Sequence, residues 1–141
     1  MITFVCGQLC SGKTEFAVAY SKICDGNFIE VGDIVRSIKQ TTDRKQLQDT
    51  KYLVNQIIKE IKSVISDKPS DKWIISGVRQ KEIIASFPNS VCLWINAPQQ
   101  VRKERYEARA RSGDERSFEE ADKGDVDLGI LEVKNYILTQ S

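Results

Sequence analysis

The length and composition of the chain allow one hydrophobic core, because 40% of its 141 residues are hydrophobic, and we expect one domain over 1–141. A formal net charge of +1 argues against a protein held on nucleic acid by bulk charge alone. The chain has no histidine and its four cysteines lack C-x-x-C spacing, which argues against a zinc site, a disulfide framework and histidine-assisted nucleophiles.

Short apolar runs alternate with helical patterns along the chain, which predicts an α/β fold. Four apolar runs are typical of buried strands: Ile2–Cys6, Asn27–Val31, Trp73–Ile75 and Val91–Ile95. The spacing of apolar and charged residues predicts helices over Glu15–Ile23, from Asp33, over Asp43–Ser66 and over Gln99–Arg111, with another capped by Ser117. Tyr136–Thr139 is predicted to be a final strand. We expect a soluble, cytoplasmic protein, because the stretch before Gly7 is too short for a signal peptide or a membrane span.

A phosphate-binding loop lies between the first predicted strand and the first predicted helix. The segment matches G-x-x-x-x-G-K-[ST] in full with Gly7, Gln8, Leu9, Cys10, Ser11, Gly12, Lys13 and Thr14. Glycines allow the backbone amides and the next helix terminus to face phosphates. Lys13 is predicted to contact the β- and γ-phosphates of ATP, and the Thr14 hydroxyl to bind Mg²⁺.

Two segments after strands are candidates for the acceptor side of the site. Asp33 and Arg36 lie three residues apart at a helix start, so a carboxylate and a guanidinium share one side. Asp33 can orient or deprotonate an acceptor and Arg36 can bind its phosphate, although a helix cap and a surface arginine fit the same pattern. Arg79 follows the third strand, at the edge where open parallel sheets bind their ligands, so it can face the acceptor. The other interpretation is a surface arginine at the start of a helix.

The helix after the fourth strand is rich in arginine. Arg102, Arg105 and Arg109 fall on one face, and Arg111 and Arg116 follow. One interpretation is a lid whose arginines neutralise the transferring phosphoryl group, and the other is a solvated helix with interleaved glutamates.

These segments together resemble the nucleoside monophosphate kinase family, and small archaeal adenylate-kinase-like proteins in particular. Val31–Arg36 resembles the G-D-x-x-R segment and Ile75–Arg79 resembles D-G-F-P-R, with Ser76 in place of the aspartate. Asn96-Ala97-Pro98 and the arginines that follow are similar to the approach to the lid of that family. The resemblance implies a five-stranded parallel sheet in the order 2-3-1-4-5 and a short lid at about 109–117. With Ser76 at that position, the carboxylate that usually helps to position magnesium is either missing or supplied elsewhere, for example by Asp33.

A second resemblance concerns the acceptor. The segment from Asn27 to Ile38 is similar to phage polynucleotide 5′-hydroxyl kinases. Kinases that phosphorylate hydroxymethyluracil in phage DNA belong to the same broad group. This resemblance implies that the acceptor is a hydroxyl group of a nucleic acid. If that hydroxyl is on a base, the base would be flipped out of the stack to reach the site.

The function predicted from the sequence is transfer of the γ-phosphoryl group of ATP, with Mg²⁺, to a (deoxy)nucleoside monophosphate. The alternatives are a DNA or RNA hydroxyl, another small metabolite, and a non-catalytic switch that binds ATP. The residues predicted to carry out catalysis are Lys13, Asp33, Arg36, Arg79, Arg105, Arg109 and Arg111; Thr14 and Asp33 are predicted to hold the metal.

Overall fold

The fold is a four-stranded parallel sheet with helices on both faces, seen in a computed structural model that describes residues 1–109 and 116–139. The strands are β1 (Ile2–Gly7), β2 (Asn27–Glu30), β3 (Trp73–Ser76) and β4 (Val91–Ile95), in the order β2-β3-β1-β4. The helices are α1 (Lys13–Ile23), α2 (Val31–Thr41), α3 (Arg44–Leu47), α4 (Thr50–Ser66), α5 (Lys81–Ala85), α6 (Gln99–Arg109), α7 (Phe118–Leu128) and α8 (Ile130–Thr139). The predicted α/β class is confirmed.

Both faces of the sheet are covered, which explains why its strands are apolar without interruption. Side chains alternate along a strand, so Phe4 and Ile75 enter the larger core cluster with α4 and α8. Val5 and Ile74 enter the smaller cluster, where Ala17 of α1 packs. All four strand residues are buried, as expected for a parallel sheet between helical layers.

The predicted five-stranded order 2-3-1-4-5 is wrong, because the last apolar segment is a helix. Ile130, Val133 and Ile137 are buried at spacings of three and four residues, which is the period of a helix, and α8 packs on α5, α7, β1 and β4. Gly129 separates α7 from α8 with φ 114°, a left-handed conformation that ends a helix. The short run Tyr136–Thr139 therefore continues α8.

The predicted helix over Asp43–Ser66 is also wrong in its extent, since it is two helices. Asp43 caps α3, and the Asp49 side chain accepts hydrogen bonds from the backbone N–H groups of Lys51 and Tyr52 at the start of α4. An aspartate that bonds to the backbone two and three residues on starts a helix rather than continuing one.

Parallel pairing brings the carboxyl ends of three strands to one edge of the sheet. Val5 of β1 lies beside Ser76 of β3, and Glu30 of β2 lies on the other side of Ser76. The segments that follow these strands therefore meet above the sheet. None of the helices in the described parts of the chain is long and apolar enough to cross a membrane.

Candidate active site

The predicted phosphate loop joins β1 to α1, and its backbone includes two left-handed residues. Cys10 has φ 59° and Gly12 has φ 93°. Gly12 is the N-cap of α1, so the positive end of this helix dipole opens onto the loop. The Ser11 N–H donates to the Gln8 carbonyl at 3.0 Å, which closes the turn. The loop thus has the strand–turn–helix setting that its motif requires.

Lys13 lies at the centre of the charges around the loop. Its Nζ donates to the Gln8 carbonyl at 3.4 Å. Burial lowers the pKa of the Lys13 ammonium from its ordinary value, while the carboxylates of Asp125 and Glu30 oppose this shift and Arg79 adds to it. Lys13 is thus partly buried within the electrostatic influence of two carboxylates, and phosphate oxygens can supply the same kind of compensation.

The carboxylate beside Thr14 belongs to Glu30, the last residue of β2. Glu30 Oε2 accepts a hydrogen bond from Thr14 Oγ1 at 3.4 Å. Glu30 Oε1 accepts from the Gly32 N–H at 3.2 Å, so the same side chain caps α2. A Cβ atom on Gly77, which has φ 93°, would collide with Glu30 Oε1. The absence of a side chain at Gly77 therefore leaves the space that this carboxylate occupies.

Thr14 and Glu30 fit a magnesium ion that accompanies a nucleotide. Mg²⁺ usually takes one or two protein oxygens and completes its shell with phosphates and water. The chain needs no larger ligand set for this purpose, and the described residues contain no group of three or more acidic, cysteine or histidine side chains arranged to hold a metal. A hydroxyl and a carboxylate side by side at the loop supply the required oxygens.

Asp33 and Arg36 form an ion pair in the first turns of α2, and both side chains are mostly exposed. Arg36 lines the cleft above the loop, together with Gly32, whereas Asp33 is not among the described residues that line it. Thus Arg36 belongs to the lining of the cleft, and its partner Asp33 does not.

Arg79 is held by a carboxylate that the sequence analysis did not single out. Arg79 Nε lies 3.0 Å from Asp125 Oδ1, and the Asp125 side chain is only 11% exposed. Asp125 therefore orients Arg79 in the cleft.

Three arginines of α6 point towards the phosphate loop and α1. Arg102 Nη1 donates to the Leu9 carbonyl at 3.2 Å, and Arg105 Nη1 donates to the Cys10 carbonyl at 3.1 Å. Arg109 Nη2 lies 2.6 Å from Glu15 Oε1. The predicted shared face of the three arginines is therefore the face towards the loop. Arg111 and most of the predicted lid at about 109–117 lie outside the described residues.

These elements enclose a cleft of about 580 Å³ above the carboxyl edge of the sheet. Its lining includes Lys13, Thr14, Glu30, Arg36 and Arg79. Lys103, Arg109, Arg116 and Asp125 also line it. Donor-binding and acceptor-binding candidates therefore open into one space.

Comparisons with known proteins identify this architecture. No protein-family profile matches the chain, and no curated protein matches it in sequence. The structure is similar to that of a shikimate kinase from Aquifex aeolicus, with a TM-score of 0.57 and 18% identity over 100% of this chain and 83% of that one. The chain has the fold of P-loop kinases.

Two further solved structures agree with this. A gluconokinase from Sinorhizobium meliloti 1021 has a TM-score of 0.56 at 17% identity and covers 91% of this chain and 73% of its own. A sugar kinase from Janibacter sp. HTCC2649 has a TM-score of 0.55 at 17% identity, over 88% of this chain and 76% of its own. At identities this low, the structural similarity establishes the P-loop kinase fold alone. The adenylate-kinase or phage-kinase subtype stays a prediction.

Sequence reasoning missed Glu30 and Asp125. Glu30 carried a usable signal, since it is an acidic residue near the end of the predicted strand Asn27–Val31, at the edge where ligands bind. Asp125 carried none, because it lies in a helix 46 residues after Arg79 and only the packing of α7 brings the two together.

Proposed function

We propose that this protein is a kinase that transfers the γ-phosphoryl group of ATP to a small acceptor carrying an anionic group. One observation carries the proposal. Lys13 and the Thr14–Glu30 pair line the same cleft as Arg36 and Arg79. A volume of about 580 Å³ lies within the usual range for small-molecule sites.

The donor side of the cleft suits a nucleoside triphosphate. The loop amides and the α1 terminus favour phosphate oxygens, and Lys13 adds a cation for the β- and γ-phosphates. Thr14 and Glu30 would hold Mg²⁺, which neutralises charge on the transferring phosphoryl group. The remaining loop residues, from Gly7 to Gly12, supply backbone rather than side chains to the donor.

The acceptor side suits an anion because Arg36 and Arg79 both line it. Guanidinium groups bind phosphate or carboxylate oxygens with two parallel hydrogen bonds. A nucleoside monophosphate is the acceptor that the sequence resemblance favours. The similar solved structures are named gluconokinase, sugar kinase and shikimate kinase, which adds small hydroxyl-bearing metabolites to the acceptors worth testing.

Positioning and electrostatics supply most of the catalysis in this proposal. The acceptor oxygen attacks the γ-phosphorus in line, the bond to the β–γ bridging oxygen breaks, and ADP leaves with that electron pair. Asp33 holds Arg36, or takes a proton where the acceptor is a hydroxyl. Arg109 and Arg111 neutralise charge in the transition state, whereas Arg105 is bonded to the Cys10 carbonyl and acts on the donor through the loop.

The test is transfer of label from γ-labelled ATP with Mg²⁺ to a panel of acceptors. The panel holds all common nucleoside monophosphates, gluconate, shikimate and other small hydroxy acids, and plain and hydroxymethyluracil-containing DNA. Label on a small anionic acceptor, abolished by Lys13→Ala, is the expected result. The matched control is Lys59→Ala, which removes an exposed lysine from α4.

Other results would replace the proposal. Label on DNA alone would favour the nucleic-acid kinase that the second resemblance suggests. Tight binding of ATP with no acceptor-stimulated turnover on any panel member would favour a nucleotide-dependent switch.

A further inference from the structure

The phosphate loop has two sides, and only one of them can face a nucleotide. In loops of this type successive N–H groups converge on phosphate oxygens, so the carbonyl groups of the same peptides point away from the nucleotide. Cys10 also has φ 59°, a left-handed conformation that a residue with a side chain keeps only when its surroundings hold it there. The loop therefore needs partners on its carbonyl side.

Two arginines of α6 meet this need. Arg102 Nη1 donates to the Leu9 carbonyl at 3.2 Å, and Arg105 Nη1 donates to the next carbonyl, that of Cys10, at 3.1 Å. The donors are charged, so these hydrogen bonds are stronger than bonds between neutral groups. Consecutive carbonyls of the loop are thus bound by consecutive turns of one helix.

Arg102 is itself fixed by α7. The Arg102 side chain is only 5% exposed, and its Nη1 lies 2.8 Å from Asp122 Oδ1. Its guanidinium carbon lies 5.4 Å from the centre of the Phe118 ring, close enough for a cation–π contact. Phe118 and Asp122 are four residues apart on one face of α7. The guanidinium is therefore held in place on α7 and bonded to the loop at the same time.

We infer that Arg102, held by Asp122 and Phe118, is a positioning residue that keeps the phosphate loop in the conformation that receives the donor nucleotide. The inference rests on the proposed function, which takes a nucleotide with magnesium as the donor. Arg102 itself touches the back of the loop and acts on the nucleotide only through it.

Two variants and one matched control test this role. Arg102 Nη1 donates to both the Leu9 carbonyl and Asp122 Oδ1. Arg102→Lys keeps the charge, but its side chain is one atom shorter and lacks the planar fork, so its ammonium does not reach the position from which Nη1 makes both contacts. Asp122→Asn removes the charge that fixes Arg102. Asp127→Asn is the control, because Asp127 lies on the same helix and its ion pair with Lys123 is exposed.

Two measurements are made on the intact chain. The first is the Kd of Mg·ADP by calorimetry, and the second is hydrogen exchange of the nucleotide-free protein in peptides covering 7–14 and 73–76. Arg102→Lys weakens the charged hydrogen bond to the loop directly, and Asp122→Asn weakens it by releasing Arg102, so the Kd should rise about tenfold in both variants. Exchange should quicken in the loop peptide and stay unchanged in the β3 peptide, and the control should match the unaltered protein.

A purely structural role predicts a different pattern. Folded variants whose Kd stays within about twofold of that of the unaltered protein would overturn the inference, since about tenfold is expected. Equal acceleration of exchange in the loop and in β3 would also overturn it, because that is general destabilisation. Should Arg102→Lys fail to fold, Arg105→Gln changes an exposed arginine bonded to the next carbonyl and should quicken loop exchange. Unchanged loop exchange in that variant would count against the inference.

These measurements are separable from the test of kinase activity. A protein that binds Mg·ADP but phosphorylates no acceptor would refute the proposed function and leave the Kd comparison valid. A protein that does not bind Mg·ADP would refute both the kinase proposal and the donor role of the loop, and the exchange data would then report only how the loop is held.

Discussion

Replacement of Glu30 by glutamine tests the magnesium site most directly. Glu30 Oε1 accepts from the Gly32 N–H at 3.2 Å, and Glu30 Oε2 accepts from Thr14 Oγ1 at 3.4 Å. Glutamine has the same shape and keeps an oxygen that can cap α2. Glu30→Gln therefore removes the charge while the fold is retained, and the free energy of unfolding should change by less than about 1 kcal/mol.

The expected loss of activity follows from the charge. A unit charge about 4 Å from another contributes about 1–4 kcal/mol between the dielectric of water and that of a protein surface, and Mg²⁺ carries two charges. The two charges double that range to about 2–8 kcal/mol. Because phosphate oxygens and water share the neutralisation, we take its lower part, about 2–4 kcal/mol. Turnover should then fall by about 30- to 1,000-fold.

The assay is the initial rate of label transfer from γ-labelled ATP as a function of free Mg²⁺. If no acceptor has been found, Mg·ADP affinity with and without a chelator replaces it. Glu60→Gln removes an exposed carboxylate from α4 and serves as the matched control. A Glu30→Gln protein with the rate and the Mg²⁺ dependence of the control would refute the assignment of the metal to Thr14 and Glu30.

Three further predictions follow from contacts and burial. Gly77→Ala places a Cβ against Glu30 Oε1 at a φ of 93°, so the free energy of unfolding measured in urea should fall by about 1–3 kcal/mol. The control Gly124→Ala in α7 should instead raise it by about 0.5–1 kcal/mol. Equal effects of the two substitutions would contradict the clash. Burial raises the pKa of the Cys6 thiol to about 12, so at pH 8 a thiol reagent should label Cys6 only after denaturation, and labelling of the folded protein would argue against this burial. Because the folded state keeps this proton, the free energy of unfolding should fall as the pH rises from about 9 towards 12. Asp33→Asn breaks an exposed ion pair, which is worth at most about 1 kcal/mol. The KM for the acceptor should therefore rise up to about fivefold, with the affinity for Mg·ADP unchanged. A loss of kcat above about a hundredfold would instead assign Asp33 as the general base.

Features set by neighbouring residues were predictable from the sequence. The phosphate loop, the four strands and the cap at Ser117 follow from motifs and spacing within about ten residues. Ser117 forms a capping box with Glu120, as its pattern indicates. The α/β class also followed, because uninterrupted apolar strands require cover on both faces.

The tertiary structure decided which charged groups meet. Thr14 and Glu30 are 16 residues apart, and Arg102 and Leu9 are 93 apart. Neither pair shares a local pattern, since both contacts depend on strand order and on how α6 and α7 pack.

Local and tertiary preferences conflicted at the end of the chain. The short run from Tyr136 to Thr139 fits a strand when it is taken alone. Ile130, Val133 and Ile137 bury a helical face against α5 and β1, and this burial outweighs the local preference. The sequence by itself therefore determined the strand–turn–helix setting of the predicted phosphate loop and the class of fold, because these depend on local conformation. The partners of its arginines and carboxylates, and the helix in place of a fifth strand, depended on contacts between distant segments.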